Sequence, residues 1–439
     1  MTTVLFIASA SMVAANNRQQ DDGNDSLYKY LSVFAEVFSL VNRAYVDELD
    51  AESLMSGAFE GAVDALDPFS IYIPPEKVTD YEATLAIGKS RSGITVLKER
   101  GVAYAVAVEE GSPAAKANIK AGNILSAIQG QRTRQTPLFE IHSILAGETG
   151  TEIEIESIAP RGQKETVIFE LAPYDPPAVE LEVRRGVGVL RLPVIEGVTP
   201  TSVESSLKTL LDDPDALPEL SERDKLVVDL RGVAGGDASA AYQVAGLFAS
   251  GELGALTARD EDLETFDGGE SSLWQGGRIA VLLDRGTQGA AEVLAAILKQ
   301  SADATLVGER SFGHSGRQRL LELSNGGRLQ VTDAFFTGPD RQPLNTALEP
   351  DVPIRPTFSF DDGDEAGEGA EGAGAEGEAA AEGSNADGGN TEDGDAEGVN
   401  AEGGDSEDGE DEALPIDEVL ERGLKLLIEN EVIEEKVAA

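Results

Sequence analysis

Residues 279–292 read Ile-Ala-Val-Leu-Leu-Asp-Arg-Gly-Thr-Gln-Gly-Ala-Ala-Glu. The first five are apolar without alternation, a run of strand length closed by turn-forming residues, which is the mark of a strand buried on both faces. A turn through Gly286 and Gly289 leads into a helix-forming stretch from about Ala290 to Gln300. The same order recurs upstream. Val187–Leu192 reads as a strand followed by a helix over Thr201–Leu211, and Lys225–Arg231 as a strand followed by Gly232-Val233-Ala234-Gly235-Gly236 and a helix through Phe248. Apolar strands alternating with helices predict an α/β domain with parallel pairing. Ser324-Asn325-Gly326-Gly327, between Gln318–Leu323 and Arg328–Phe336, predicts a hairpin that closes it.

Other patterns flank this domain. Gly93–Leu171 carries short, alternating, β-branched runs with one short helix near Leu138–Leu145. Before it, Leu31, Phe34, Val37, Phe38, Val41 and Tyr45 recur at helical spacing. A second helix is expected from Ala51 to Leu66, N-capped by Asp50, with Leu54, Ala58, Ala62 and Leu66 on one face and Asp67-Pro68 as its stop. Downstream, Ile416–Ile433 is again amphipathic and is expected to dock back on the core. Between Asp361 and Glu412 stand 21 acidic residues and no Lys or Arg. That composition cannot bury enough apolar area to offset its ordering entropy and predicts a disordered, solvated spacer. The expected organisation is a possible signal segment at 1–20, a helical module at 27–85, a β domain at 86–173, the α/β core at 178–356, the acidic linker at 357–413 and a terminal helix at 414–439.

The totals exclude several functions. A formal charge of −47 over 439 residues repels phosphate, which argues against nucleic acid and against anionic membrane surfaces. With no cysteine and two histidines there is no disulfide framework, no thiol nucleophile and no imidazole-rich metal centre, so neither metal nor cofactor is expected. Val4–Ala15 is an apolar run ending in Val13-Ala14-Ala15, too short to span a bilayer but suited to a signal-peptide core. This predicts export to a periplasm or beyond, with the cytoplasm as the alternative.

Five stretches in order resemble the carboxyl-terminal processing (tail-specific) serine proteases. Tyr45-Val46-Asp47 with Leu66-Asp67-Pro68-Phe69-Ser70-Ile71-Tyr72 looks like their helical lead-in, and Gly111-Ser112-Pro113-Ala114-Ala115 with Ile119–Leu125 looks like their PDZ domain. Asp229-Leu230-Arg231 with Gly235-Gly236, Val307–Gly313, and Leu348-Glu349-Pro350-Asp351-Val352 look like three later signatures. The resemblance implies a multidomain α/β and β protein: helical module, PDZ domain, and a crotonase-like ββα protease core. It also implies a Ser–Lys dyad, with the serine in a Gly-Ser/Thr-Ala-Ser-Ala-Ser-Glu turn and the lysine in Phe-Gly-Lys-Gly, 25 residues on. A serine hydroxyl needs such a base, and a lysine serves only when burial strips its proton.

Here the turn reads Gly286-Thr287-Gln288-Gly289-Ala290-Ala291-Glu292, which puts Gly289 at the nucleophile position and His314, in Ser311-Phe312-Gly313-His314-Ser315, at the base position. Gln318 matches a glutamine the family keeps beside its dyad, and Gly235-Gly236 match its oxyanion corner. Glycine has no side chain to attack with, so the expectation is a protein that binds peptide or protein C-termini without cutting them, as scaffold, adaptor or competitor of an active relative, or as a self-associating subunit. The alternative is an active endopeptidase in which Thr287, Ser311 or Ser315 works with His314. Thr287 is otherwise expected to cap the following helix. In the PDZ domain, the carboxylate loop is expected at Arg91-Ser92-Gly93-Ile94, with Arg91 and Lys89 favouring an anion. Ile94-Thr95-Val96 would be the peptide-pairing strand, and Leu138 and His142 would face the groove from its helix.

Overall fold

The computed structural model describes residues 28–354 and 417–429, apart from 88–90, 100, 160, 161, 163, 214 and 260. The signal-segment and acidic-linker expectations, Lys89, and both ends of the terminal-helix segment lie outside the described residues.

The chain begins with helix α1 (28–44) and α2 (Ala51–Asp64), then a short strand β1 (Ile71–Ile73) and α3 (Val78–Ile87). Asp50 caps α2 as expected, its carboxylate accepting from the amides of Glu52 and Ser53. The buried position on α2 is Val63, not Leu66, which is 66% exposed. The helix ends at Asp64, so Leu66 falls past the last turn, where helical spacing no longer sets direction. Asp67 makes the stop by accepting from the amides of Phe69 and Ser70. The apolar stripe of α1 is also not buried: Leu31, Phe34 and Val37 stand exposed.

Next comes a β domain of β2 (Ile94–Glu99), β3 (Val102–Val108), α4 (Pro113–Lys116), β4 (Ile124–Ile128), β5 (Gln131–Arg132), α5 (Leu138–Leu145), β6 (Glu152–Ile158) and β7 (Lys164–Glu170). Its sheet runs β2-β3-β4-β6-β7, with β5 on β4, so β2 is an edge strand. The strands and α5 match the sequence reading closely. The short α4 was not legible, although Ser112 and Pro113 supply its N-cap and first position.

The third part comprises β8 (Glu180–Arg184), β9 (Val187–Arg191), α6 (Thr199–Asp212), β10 (Glu222–Asp229), α7 (Ala238–Gly246), β11 (Glu252–Thr257), β12 (Asp262–Asp267), β13 (Arg278–Leu283), α8 (Ala290–Ser301), β14 (Thr305–Gly308), β15 (Gly316–Glu322), β16 (Arg328–Phe336), β17 (Val352–Pro353) and α9 (Glu418–Ile428). One sheet runs β17-β14-β13-β10-β9-β8 and is parallel except for β8. Its faces are covered from opposite sides. Ile279, Val281 and Leu283 of β13 join the cluster of α6, α7 and α8, whereas Ala280 and Leu282 pack with Val419, Leu424 and Leu427 of α9. Burial on both faces is why the strand sequence does not alternate.

The hairpin forms as read, but it does not close the parallel sheet. β15 and β16 belong to a separate antiparallel sheet, β1-β16-β11-β12, in which β1 pairs with β16 through Ile71↔Gln330. The lead-in is thereby stitched to the core. Ile71, Ile73, Val78 and Tyr81 in turn share a hydrophobic cluster with the β domain, against which Phe312 packs.

Leu424 on α9 is 1% exposed beneath the parallel sheet. Leu424→Ala should cost about 2–5 kcal/mol by urea denaturation, and Ile168→Ala, at an exposed position, about 0.5 kcal/mol or less.

Candidate functional site

Strand β13 leaves the sheet into a tight turn that ends at Gly289, the N-cap position of α8. Gly289 has φ 67° and ψ −118°, a left-handed conformation that costs a side-chain-bearing residue strain. A Cβ added there would lie 3.0 Å from the Gly235 carbonyl oxygen. The turn is held from below by Asp284, whose Oδ1 accepts from the amides of Gly232 and Gly286, each at 2.9 Å. Burial pushes the Asp284 carboxyl above its ordinary value, against these bonds and the nearby Arg231 charge. Thr287 does not cap α8. Its Oγ1 donates to the Leu230 carbonyl at 3.0 Å and accepts from the Asp284 amide, because the turn points it back into the sheet.

Glu292, in the first turn of α8 and 1% exposed, gathers five donors. They are the hydroxyls of Ser311 and Ser315 and the amides of Gly313, His314 and Gly289, the last two at 3.0 and 3.2 Å. Burial raises the Glu292 carboxyl above the usual range, and the donors pull it back. The carboxylate clips loop 311–315 to the start of α8, which is how His314 comes to lie beside the elbow. Ser311 also accepts from the Leu348 amide, tying in the Leu-Glu-Pro segment.

The His314 ring is buried. It stacks on Phe69 at 4.2 Å with 23° between planes, and meets Phe335 edge-on at 5.3 Å. Its Nε2 lies 3.3 Å from Thr332 Oγ1, which accepts from Gln318 Nε2 at 2.8 Å. Gln318 Oε1 is buried with no hydrogen-bond partner. Thr287, Ser311 and Ser315 therefore surround the elbow, but each hydroxyl donates to an acceptor other than His314. Thr332 and Phe69 were not singled out from the sequence, since no local pattern marks a strand and a loop so distant in the chain as neighbours of His314. Burial lowers the His314 pKa, opposed by the charge of Asp67.

At the glycine corner, Gly235 and Gly236 have φ 74° and 85°. A Cβ at Gly236 would approach the Ile195 carbonyl oxygen to 2.6 Å, so that position demands glycine. The Gly235 amide donates to Gln288 Oε1 at 2.8 Å, and Gln288 Nε2 donates to the His314 carbonyl at 3.0 Å. Gln288 is 7% exposed. The sequence signal for it was present, as a departure from the family's alanine within the turn.

In the β domain, Gly93 has φ 78° and leaves no room for a Cβ beside Ser112. The Ser92 amide donates to the Leu145 carbonyl at 3.2 Å and the Ile94 amide to Ser92 Oγ at 3.2 Å. Arg91 donates to Thr149 Oγ1 and the Gly147 carbonyl rather than standing free. Ile94, Val96 and Leu138 are buried and Thr95 half-buried along the β2–α5 seam. His142 Nε2 donates across that seam to the Val96 carbonyl at 3.0 Å. Burial lowers the His142 pKa, opposed by that bond.

Among the described residues, no helix is long and apolar enough to cross a membrane, and no cluster of His, Cys, Asp and Glu could hold a metal ion. A cavity of about 1040 Å³ opens at the other end of the parallel sheet, lined by Trp274, Arg278, Lys299 and Leu427, away from the elbow.

The site is thus a parallel sheet whose central strand runs through a left-handed elbow into a helix, with a glycine corner beside it and an edge-stranded β domain upstream. Residues 186–354 match the model of peptidase family S41, and residues 3–77 match that of the activating protease CtpB N-terminal domain. Residues 186–354 are thus similar to peptidase family S41, and most of the chain is similar to carboxy-terminal processing proteases. It is 28% identical over 366 residues to the carboxy-terminal-processing protease of Bartonella bacilliformis, covering 80% of this chain and 82% of that one. The chloroplastic C-terminal processing peptidase of Tetradesmus obliquus is 25% identical over 370 residues, covering 74% and 77%. Carboxy-terminal processing protease CtpB of Bacillus subtilis is 23% identical over 368 residues, covering 81% and 73%. The fold is shared with the photosystem II D1 C-terminal processing protease, at a TM-score of 0.59 and 23% identity, covering 73% of this chain and 92% of that one.

Gly289→Ser is expected to destabilise the protein by about 1–3 kcal/mol through left-handed strain and the Gly235 carbonyl contact, measured by urea unfolding. His142, half-buried, and His314, buried, are the two histidines of the chain. Since burial lowers both, the folded state disfavours their protonation, and the stability they contribute, present above the ordinary histidine pKa of about 6.5, is lost as pH falls below it. Wild type should therefore lose more stability between pH 8 and 5.5 than a His142→Gln/His314→Gln variant, read as the shift in urea midpoint.

Proposed function

We propose that this protein is a member of family S41 that binds the C-termini of proteins or peptides through its PDZ domain and does not hydrolyse them, serving as a scaffold or regulator. The observation that carries the reading is the elbow. Its apex, where the family's turn places a serine, is Gly289, and the three hydroxyls around it donate to buried acceptors other than His314. Without a nucleophile no acyl-enzyme forms, whatever the protonation of the base. The binding half of the reading rests on β2, an edge strand beside α5 whose carbonyls could accept an added strand, with Ser92 and Gly93 turning tightly at its start. An active relative, or a second copy of this chain, is the natural partner in a regulatory role, and export to the periplasm is the compartment we propose for it.

One observation favours a second reading. Thr332 Oγ1 lies 3.3 Å from His314 Nε2 and accepts from Gln318, so an imidazole unprotonated at Nε2 could accept the Thr332 proton. A Thr–His pair has the acid–base logic of a serine hydrolase, although it stands off the elbow.

Purified wild type should leave β-casein intact, as should Thr332→Val. Cleavage by wild type that Thr332→Val stops would establish the second reading and sink the first. In calorimetric titration, a peptide with an apolar final residue and free carboxylate should bind, and its C-terminal amide should not. Equal binding of the two would remove the carboxylate loop from the account.

A further inference from the structure

We infer that Gln288 is a built-in surrogate ligand, occupying with its own carboxamide the anion-binding corner where an S41 protease would stabilise its transition state. The inference rests on the reading that Gly289 and His314 stand at the lost dyad positions, and it adds a third position that closes the cleft.

The Gly235 amide belongs to a glycine loop between a strand and a helix, where backbone N–H groups can face developing negative charge. In this structure that donor is already satisfied. Gln288 Oε1 accepts from it at 2.8 Å, within the range an oxyanion would adopt. The other end of the same amide donates to the His314 carbonyl at 3.0 Å. Only one orientation of the carboxamide pairs acceptor with donor at both ends, so its assignment follows from the network. The Gln288 backbone amide donates to the Val233 carbonyl at 2.9 Å, which fixes the origin of the side chain. Alanine, which the family's turn carries at this place, could make neither side-chain bond.

The consequence is chemical. A substrate carbonyl, a carboxylate or a tetrahedral oxyanion can reach the Gly235 amide only by expelling a buried amide and leaving both its ends unpaired. The corner is therefore shut to anionic oxygen even if a nucleophile is restored. The same plug braces the two halves of the cleft, since it bridges the glycine loop to the backbone of His314. C-terminal carboxylates are thus excluded from the protease cleft, and binding of that class is left to the PDZ domain.

The test compares wild type, Gly289→Ser/His314→Lys, and Gln288→Ala/Gly289→Ser/His314→Lys, read by labelling with a biotinylated fluorophosphonate and by β-casein cleavage. The triple variant should react at least tenfold faster than the double. Equal, measurable rates would overturn the plug while leaving the reading of lost chemistry intact. Cleavage by wild type would instead overturn that reading, and the plug with it. If neither revertant reacts, amide hydrogen exchange at Gly235, followed by ¹⁵N NMR in Gln288→Ala against wild type, decides the matter. At least tenfold faster exchange supports the plug, and unchanged exchange refutes it. Gln288→Met, which keeps the volume and removes both bonds, replaces the alanine variant if the latter fails to fold.

Discussion

The site depends on one buried carboxylate. Glu292 stands in the first turn of α8, where its charge is favoured by the helix N-terminus, and three backbone amides with two serine hydroxyls converge on it. A carboxylate with almost no access to water is tolerable only when its lone pairs are filled. The requirement therefore propagates outward: Ser311 and Ser315 must be hydroxyl-bearing, Gly313 must turn tightly, and the elbow must present the Gly289 amide. Those residues look catalytic when read one at a time. Together they form the socket of an anion that holds the His314 loop against α8.

Seen from this clip, the glycine at the apex is a relief of strain. An elbow at φ 67° suits a side chain only when the surrounding structure forces it. Glycine adopts it freely, and the turn persists because Asp284 and Glu292 hold it from either end. The His314 ring is packed between two aromatics, stacked on Phe69 and met edge-on by Phe335, and its one described side-chain polar contact is with Thr332. Phe69 comes from the lead-in and Phe312 packs against the β-domain cluster, so the base-position loop is the point where all three parts of the chain meet.

Much of this was legible in the sequence wherever the determining forces are local. The unbroken apolar run of β13 and the amphipathic spacing of α9 named their elements, and α5 was read as the short helix that interrupts the strands. The 25-residue interval from Gly289 to His314 separates two residues whose backbone amides both donate to Glu292. What escaped were features fixed by distant partners. β1, β8, β11 and β12 are short or polar on their own and become strands because a neighbour supplies the hydrogen bonds. The helix from Ala51 stops before Leu66 because Asp67 turns the chain, and the stripe of α1 stands exposed although its spacing promised burial. Thr287, read as a helix cap, belongs to the Asp284 turn instead.

The amino-acid sequence by itself determined the class of fold, the likeness to carboxy-terminal processing proteases and the glycine at position 289, because these are written in residue type, periodicity and fixed spacing. Tertiary structure alone decided where the surrounding hydroxyls spend their protons, that Thr332 is the one at His314, and that Gln288 fills the glycine corner. A hydrogen bond depends on the position of two atoms to within a few tenths of an ångström. No one-dimensional pattern carries that information when the partners arrive from different strands, loops and helices.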